Sequence, residues 1–490
     1  MDFISRYVRE QKRYTKNELR ALFRFSESEV ESFITKLKSY GILKAVKNTP
    51  LQKDLTDLAD ETIEIADASA ENAAYFYVFT YVGVITAGNR IIKCYPKYIA
   101  KTDEPISEMK QILKVLNRYG AKEQIINLYN GDAENSSFNL LAVILFLMQD
   151  YFEHGLYTNT ESVYEVNGEG PIMWDKTISD GFAIIRDNRP YYIDLYTQKT
   201  VDDEQDFFRL LHQSVLTECS RQLQESDLLD LFDLENIDLC SEPISTFGDE
   251  DYLLYRLQSE INIQFNTQRQ VLLKTLYAYI AHHRTLQDGY GISLYGTTSF
   301  NLVWENVCAT VFDNKLHQRL SQLKLPTPLK DGYAPNDELI EVIKKPVWIG
   351  FGSNSSEFSK EAQETLIPDL INIYDVSEQA VFVIFDAKYY CIQLEQGKPL
   401  RGQPGVGDVT KQYLYQLAYR QFTEDHGITQ IRNCFLMPTE GCSIVKKGIA
   451  KMEILESLGL QNIQIRLLPA EEMYSLYLTH KLMDITRLEL

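Results

Sequence analysis

The sequence lacks several patterns that identify common classes of protein. Its seven cysteines are scattered, with no CxxC pair and no spacing suited to a structural zinc site. It also has no HExxH pair, no His-rich HNH-like pattern, no GxSxG elbow and no GxxxxGK[ST] phosphate loop. These absences argue against a zinc enzyme, an HNH nuclease and a P-loop NTPase, and no elbow supports a Ser-His-Asp hydrolase.

Long apolar runs are missing as well. The longest, Leu140 to Met148, has nine residues, whereas a helix needs about 20 to cross a bilayer. The N-terminus has no apolar stretch of the kind found in signal peptides, and an odd number of scattered cysteines is typical of reduced thiols. We therefore expect a soluble, cytoplasmic protein without membrane contact, in which residues 140–148 form a buried helix.

Positive charge is scarce. Lys and Arg total 49 against 69 Asp and Glu, a net charge of −20, which argues against a protein that grips nucleic acid over its whole surface. Residues 1–50 are the exception, with 11 Lys or Arg and 6 Asp or Glu, a net charge of +5. With 490 residues and 44% hydrophobic content, the chain can form about three folded domains.

The basic N-terminal segment has the pattern of a small helical module. Thr15 with Glu18, and Ser26 with Glu29, have capping-box spacing, and Gly41 is placed to end the second helix. A short strand from 42 to 46 follows. Helix, turn, helix, strand predicts a winged-helix-like module over residues 1–60. It is either a DNA-contacting or partner-docking module, or a small structural domain.

Two further regions precede the C-terminal part of the chain. Residues 61–200 are β-rich: they have predicted strands at 75–85 and 90–95, helices near 104–119 and 138–154, and a dense stretch from Gly168 to Ile178 that suggests a specific loop. Residues 201–290 have long helical patterns at 202–235 and 252–286. Ile261, Phe265 and Leu276 are among the residues expected on the apolar face of the second.

Residues 291–490 predict one α/β domain with a mixed sheet flanked by helices. A helix from 300 to 312 carries Glu305, a second from 408 to 423 carries Gln412 and Gln416 one turn apart, and strands are expected near 433–438 and 463–467. Between the two helices lies a predicted hairpin, with strands at 366–374 and 380–390.

The hairpin carries the main candidate for chemistry. Pro368-Asp369 opens its first strand, and Asp386-Ala387-Lys388 closes its second, where Asp386 and Lys388 point to one face. Two carboxylates at one end of a hairpin suit a hard cation such as Mg²⁺, and a neighbouring lysine can orient or activate a water for attack on a phosphodiester. The alternative is a surface hairpin with ordinary salt bridges.

This set of residues resembles the PD-(D/E)xK nuclease superfamily. More specifically, the segments SLYGTTSFNLVWENVC, LIPDLINIY, FVIFDAKYY and QPGVGDVTKQYLYQLAY resemble the LlaJI family of restriction endonucleases, which is related to the McrC subunit of McrBC systems. The segments FTYVGVITAGNRIIKCYPKY and GEGPIMWDKTI resemble the amino-terminal half of the same group. The resemblance covers roughly residues 75–480. It implies a multidomain α+β protein that ends in a restriction-endonuclease-like domain at 291–490.

The resemblance also implies roles for individual residues. Asp369 and Asp386 would bind Mg²⁺ with the carbonyl of Ala387, and Lys388 would position the attacking water. Glu305 would supply an upstream acidic group, and Gln412 or Gln416 a downstream helix contact. The choice between the two glutamines stays open, and the neighbouring Lys411 could contact the scissile phosphate instead.

The implied function is that of a Mg²⁺-dependent endonuclease subunit of a bacterial restriction system that defends against phage. It would cut double-stranded DNA together with an McrB-like AAA+ GTPase, which docks on residues 61–200, and would act beside a cognate DNA methyltransferase. Two alternatives are an adaptor that stimulates the GTPase through an inactive nuclease fold, and a stand-alone nuclease that reads its site through residues 1–50.

Overall fold

A computed structural model describes residues 3–47, 75–129, 139–203, 206–282, 292–352, 356–376 and 379–490. Residues 48–60 of the predicted winged-helix-like module and 61–74 of the β-rich region lie outside these ranges. The chain divides into two compact units. The first consists of Met1–Phe3, Thr86–Asn89 and Gly131–Leu294, and the second of Ile4–Ile85, Arg90–Asn130 and Tyr295–Leu490.

The elements are numbered in chain order. The strands are β1 (Ile4–Arg9), β2 (Arg13–Tyr14), β3 (Leu43–Lys47), β4 (Tyr75–Phe79), β5 (Val82–Ala87), β6 (Arg90–Tyr95), β7 (Thr160–Val166), β8 (Ala183–Arg186), β9 (Arg189–Tyr192), β10 (Tyr196–Asp202), β11 (Ile292–Thr297), β12 (Val347–Phe351), β13 (Glu357–Glu361), β14 (Leu370–Val376), β15 (Gln379–Ala387), β16 (Gln430–Thr439), β17 (Val445–Ala450) and β18 (Ile463–Pro469). The helices are α1 (Lys16–Phe23), α2 (Glu27–Ser39), α3 (Ile106–Tyr129), α4 (Leu140–His154), α5 (Trp174–Asp180), α6 (Phe207–Glu225), α7 (Glu250–Ile263), α8 (Thr267–Ala281), α9 (Phe300–Val311), α10 (Val406–Asp425) and α11 (Ala470–Leu478).

The first unit is built around buried helices. The apolar run in α4 is buried almost throughout, as predicted, and α4 packs against α6 and α8. No helix among the described residues is long and apolar enough to cross a membrane. Among the described strands that lie wholly in this unit, β7 pairs with β10 and β8 pairs with β9, both antiparallel.

The second long helix predicted in this unit is two helices. Asn266 accepts hydrogen bonds from the backbone N–H groups of Gln268 and Arg269, at 3.0 and 3.1 Å, and so begins α8 after α7 has ended at Ile263. Phe265 therefore lies between two helices and is 96% exposed. Its predicted place on a buried face was wrong, because an N-cap interrupted the helical period.

The dense stretch from Gly168 to Ile178 is only partly a loop, since α5 begins at Trp174. Gly170 has φ of +144°, and a Cβ at this position would lie 2.3 Å from the carbonyl oxygen of Gln198. Close approach of two backbone segments therefore accounts for this glycine.

The N-terminal part of the second unit contains the two predicted helices, α1 and α2, but they follow two strands, β1 and β2, that were not predicted. Both capping boxes are present, at Thr15 with Glu18 and at Ser26 with Glu29, and Gly41 follows α2 with φ of +69°. Helix α2 contacts β3, which belongs to a three-stranded antiparallel sheet of order β2-β4-β3. The central strand of this sheet, β4, comes from the predicted β-rich region.

The strand predicted over residues 75–85 is broken in two. The backbone N–H of Thr80 donates to the carbonyl of Ile42 at 2.8 Å, and its hydroxyl donates to the carbonyl of Gly41 at 3.0 Å. After this break β5 joins a different, four-stranded sheet of order β1-β6-β5-β11, in which β1 and β6 are parallel.

The C-terminal part contains the predicted mixed sheet flanked by helices. Its five strands have the order β14-β15-β16-β18-β17: the two outer pairs are antiparallel and the two inner pairs parallel. The β12–β13 hairpin was not anticipated.

Alternating residues of β15 bury the two faces of this sheet. Phe382 packs against Tyr419 of α10, whereas Phe385 stacks on Phe312 at the end of α9, with ring centres 5.2 and 5.3 Å apart. Trp304 of α9 is fully buried and donates to the carbonyl of Leu436 on β16 at 3.0 Å. Helices α9 and α10 therefore fix the sheet from opposite sides, and both reach the end where β15 stops.

Candidate active site

The antiparallel hairpin brings the two predicted carboxylates together. Leu370 pairs with Phe385, so Asp369 lies beside the end of β15. Its Oδ2 accepts a hydrogen bond from the backbone N–H of Ala387 at 2.8 Å. The carbonyl of Asp369 is held in turn by the amide of Asn314 at 3.1 Å. The Pro-Asp and Asp-Ala-Lys segments thus form one rigid corner.

Asp386 is buried beside this corner, with 3% of its surface exposed. Its Oδ1 lies 3.1 Å from the Lys388 ammonium but accepts no well-oriented hydrogen bond within the described structure. Burial raises the pKa of Asp386 well above its usual value, the charge of Asp369 and a hydrogen bond with it raise it further, and Lys388 offsets this only in part. Burial beside a second carboxylate therefore disfavours the ionised form of Asp386.

Lys388 lies between two carboxylates. Its Nζ is 3.1 Å from Oδ1 of Asp386 and 3.0 Å from Oδ1 of Asp408. Burial lowers the pKa of Lys388, but these carboxylates raise it by more, so that the net shift is upward. The lysine is therefore a permanent cation that can donate hydrogen bonds but does not accept a proton near neutral pH.

Asp408 is the site residue that the sequence reasoning missed. It is the third residue of α10, and its Oδ2 accepts a hydrogen bond from the backbone N–H of Gly405 at 3.1 Å. One carboxylate thus fixes both the start of the helix and the position of Lys388. The available signal was an acidic residue three positions after Gly405, the spacing of a capping interaction.

Glu305 approaches the same cluster from α9, where it is half-buried. Burial raises its pKa to about 7, with a further rise from the charge of Asp369 and a smaller lowering from Lys388. The structure therefore joins the predicted upstream acid to the hairpin residues.

The two glutamines on α10 are both buried, and they do different things. Gln412 donates from Nε2 to the carbonyl of Ile384 on β15 at 2.8 Å, and its Oε1 has no hydrogen-bond partner in the described part of the chain. Oε1 of Gln416 accepts from Asn433 at 2.8 Å and from the backbone N–H of Gln461 at 3.0 Å. Gln416 thus joins the helix to β16 and to the loop before β18 and makes no described contact with the carboxylates, while Lys411 is exposed.

The chemistry of the cluster suits a hard divalent cation. Asp369 and Asp386 offer carboxylate oxygens, one of them buried and without a well-oriented partner, and Mg²⁺ favours one or two carboxylates with water completing its coordination. Within the described ranges, no group of three or more His, Cys, Asp or Glu side chains is placed so that it could hold a metal ion. The residues present therefore fit Mg²⁺ held by few protein ligands.

Comparison with known proteins gives a family and one curated relative. Residues 81–453 match the model of the LlaJI restriction endonuclease family. The component YdjA of the type II restriction enzyme BsuMI, from Bacillus subtilis strain 168, is 27% identical over 417 residues, which cover 84% of this chain and 83% of that protein.

Two solved assemblies are also similar. One is a half-complex of Thermococcus gammatolerans McrB AAA+ hexamers with bound McrC, at 10% identity and a TM-score of 0.35, covering 97% of this chain and 99% of that chain. The other is the McrBC complex of the same organism, at 14% identity and a TM-score of 0.23, covering 61% and 84%. Scores this low carry no argument about fold or assembly.

Proposed function

Because this chain belongs to the LlaJI restriction endonuclease family, we propose that it is a Mg²⁺-dependent subunit that hydrolyses phosphodiester bonds in double-stranded DNA. The observation that carries the proposal is the rigid corner in which Asp369 accepts from Ala387 beside Asp386 and Lys388. An ordinary surface salt bridge would not bury Asp386 against a second carboxylate, because that costs free energy without a functional return.

The residues of the corner divide the work. Asp369 and Asp386, with the carbonyl of Ala387, would hold Mg²⁺, which when bound supplies positive charge that neutralises the charge developing on the phosphate. Lys388 remains protonated and is held at a fixed position, so it would orient the attacking water by donating to it. Attack of this water in line on phosphorus would form a new P–O bond as the bond to the 3′ oxygen breaks. The proton that the water loses balances the one that the leaving oxygen gains, so the products are a 3′-hydroxyl and a 5′-phosphate.

The test is plasmid cleavage with Mg²⁺ by the full chain and by Asp386→Asn. The variant should lose roughly 10²-fold or more in rate, as expected when a charged group of a catalytic site is removed, and should keep its fold. The matched control is Asp375→Asn, an exposed carboxylate at the other end of the same hairpin, which should cut like the wild type. Undiminished cutting by Asp386→Asn would rule out the assignment.

We infer further that the subunit works with an McrB-like AAA+ GTPase, and beside a methyltransferase that protects host DNA. The support is the sequence resemblance, together with an exposed apolar surface in the region proposed for docking. The side chains that form it have more than half of their surface exposed: Trp174, Ile178, Phe182, Ile185, Tyr191 and Ile193. Apolar exposure on this scale is typical of an interaction site.

The same cleavage assay, with and without the GTPase and GTP, separates the alternatives. Cutting that needs both Asp386 and the GTPase supports the two-component nuclease. Cutting that needs Asp386 alone indicates a stand-alone nuclease. Stimulated GTP hydrolysis with no Asp386-dependent cutting indicates the adaptor. A Phe182→Ser chain should lose the effect of the GTPase, whereas Ile349→Ser, in the exposed β12–β13 hairpin, should keep it.

A further inference from the structure

A cavity of about 270 Å³ in the second unit joins the candidate active site to the N-terminal part of the chain. Glu305, Lys388 and Asp408 line one part of it, and Gln11, Lys44 and Lys97 line another. The second group comes from segments in the first 100 residues of the chain, whereas the C-terminal sheet begins at Leu370. The volume of the cavity is near the lower limit for small-ligand sites and is far too small for a DNA duplex, so the cavity suits a short piece of one DNA strand.

Lys97 is held in place by neutral groups. Its Nζ donates to Oε1 of Gln11 at 3.3 Å and lies 4.6 and 5.7 Å from the ring centres of Tyr389 and Tyr390. Ring faces and an amide orient an ammonium without cancelling its charge. Since Tyr389 follows Lys388 directly, Lys97 is positioned next to the catalytic corner.

Glu10 fastens this arrangement to the first strand. It is 6% exposed, and its Oε2 accepts from the Tyr389 hydroxyl at 2.6 Å and from the backbone N–H of Lys97 at 3.2 Å. Burial raises the pKa of Glu10, against the opposing effects of Lys97 and Tyr389. Glu10 therefore serves as a buried anchor that holds the Lys97 backbone and the Tyr389 hydroxyl together.

Lys44 reaches the cavity from β3, where it lies opposite Val78. Its side chain is half-buried and has no hydrogen-bond or ion-pair partner among the described residues. Lys388, by contrast, is engaged by two carboxylates. Within the described lining of the cavity, Lys44 thus has no carboxylate partner, and Lys97 interacts with the buried Glu10 without forming a close ion pair with it.

We propose that Lys44 and Lys97 each bind a backbone phosphate of the DNA strand, close to the phosphate that is cut. The inference rests on the proposed nuclease function and deepens it: the N-terminal module forms one wall of the cleavage groove rather than a separate reader of DNA. Phosphate contacts of this kind position a strand and carry no sequence information. The two lysines are therefore positioning residues, and the carboxylates remain the catalytic ones.

The test measures how DNA binding depends on salt. The full chain, with Ca²⁺ in place of Mg²⁺ so that the strand is not cut, binds a fluorescent duplex at KCl concentrations from 50 to 200 mM. Each phosphate contact contributes about 0.9 to the slope of log affinity against log salt. Raising KCl from 50 to 200 mM weakens DNA binding by the wild type by a certain factor. This factor should be about 3.5 times smaller for Lys44→Gln and for Lys97→Gln, and about 12 times smaller for the double variant.

Two further variants serve as controls. Lys97→Arg keeps the charge and should keep the wild-type slope. Lys330→Gln removes a lysine that pairs with Asp425 at the far end of α10, about 25 Å along the helix from Asp408 at a rise of 1.5 Å per residue, and should also keep it. Lys44→Gln tests the proposal on its own should the buried neighbours of Lys97 prevent that variant from folding.

The outcomes distinguish this inference from the nuclease assignment. Unchanged slopes in Lys44→Gln and in the double variant, with Asp386-dependent cleavage intact, would overturn the strand path alone. Cleavage that survives Asp386→Asn would overturn the nuclease and the strand path together. A slope lowered equally by Lys330→Gln would show that net charge rather than position is responsible, and would also overturn the proposal.

Discussion

Glu305 makes the metal-free protein less stable as the pH rises, and Glu305→Gln should remove this effect. The side chain is half-buried on α9 among other carboxylates, and its pKa is raised to about 7, first by burial and then by Asp369. In the unfolded chain the same group has a pKa near 4.5. The ionised form of Glu305 therefore lowers the stability of the folded protein, whereas the protonated form brings no such penalty.

The sign and size of the effect follow from these two values. Below pH 4.5 both states are protonated and there is no penalty; the penalty grows between pH 4.5 and 7 and is constant above that. A full shift of this size corresponds to about 3.4 kcal/mol, which partial solvent exposure reduces to about 1–2 kcal/mol. Glu305→Gln should thus be about 1–2 kcal/mol more stable than the wild type at pH 8 and less than about 1 kcal/mol more stable at pH 5.5.

Tryptophan fluorescence during urea unfolding with EDTA is the natural assay. Trp304 is fully buried next to Glu305, whereas Trp174 and Trp348 are 55% and 71% exposed. The change in fluorescence will therefore report mainly on the second unit, the part of the chain that contains the site. This matters because a chain with two units need not unfold in one step.

The exposed Glu424 at the end of α10 provides the control, since Glu424→Gln should leave stability unchanged at both values of pH. If Glu305→Gln were no more stable than the wild type at pH 8, or if its advantage were larger at pH 5.5, the account of Glu305 as a carboxylate ionised at a cost would be wrong. Added Mg²⁺ should reduce the advantage, because a bound cation favours the ionised form.

Two other substitutions test neighbouring parts of the site. Asp408→Asn leaves Lys388 with a single carboxylate, so the rate of plasmid cleavage should fall about tenfold or more. The new amide oxygen can still accept from the Gly405 N–H, so the free energy of urea unfolding should change by less than about 1 kcal/mol. Gln416→Leu leaves the N–H groups of Asn433 and Gln461 without this acceptor, so it should lower the free energy of unfolding by about 2–3 kcal/mol. The cleavage rate per folded molecule should stay within about twofold of the wild type; a larger fall would show that Gln416 contacts the DNA.

The candidate site was largely readable from the sequence because its signals are local. Side chains two apart on a strand share a face, and an antiparallel turn brings the start of one strand to the end of the other. Those two rules were enough to place Asp369, Asp386 and Lys388 together, and both capping boxes at the N-terminus were equally local.

The missed features depend on contacts between residues distant in sequence. Nothing in the periodicity of residues 75–85 indicates that Thr80 bonds to Gly41 and Ile42 and so splits the strand. The pairing of Asp408 with Lys388 and that of Glu10 with Tyr389 likewise join segments that only the folded chain brings together. Gln416 was a candidate because it shares a helix face with Gln412. One turn further along α10, however, it contacts Asn433 on β16, whereas Gln412 contacts Ile384 on β15.

The balance of charge at the candidate active site links the two proposals. Glu305, Asp369, Asp386 and Asp408 surround a single lysine, and the raised pKa values of Glu305 and Asp386 mean that protons relieve part of their repulsion. A divalent cation could take the place of those protons, but the cluster would still repel a phosphate backbone on either side of the cut. A strand can follow this path only if cations lie just beyond the carboxylates, and Lys44 and Lys97 occupy that position in the same cavity. On these two proposals an acidic chain holds DNA at one point, because a few lysines lie where the carboxylates of the candidate site end.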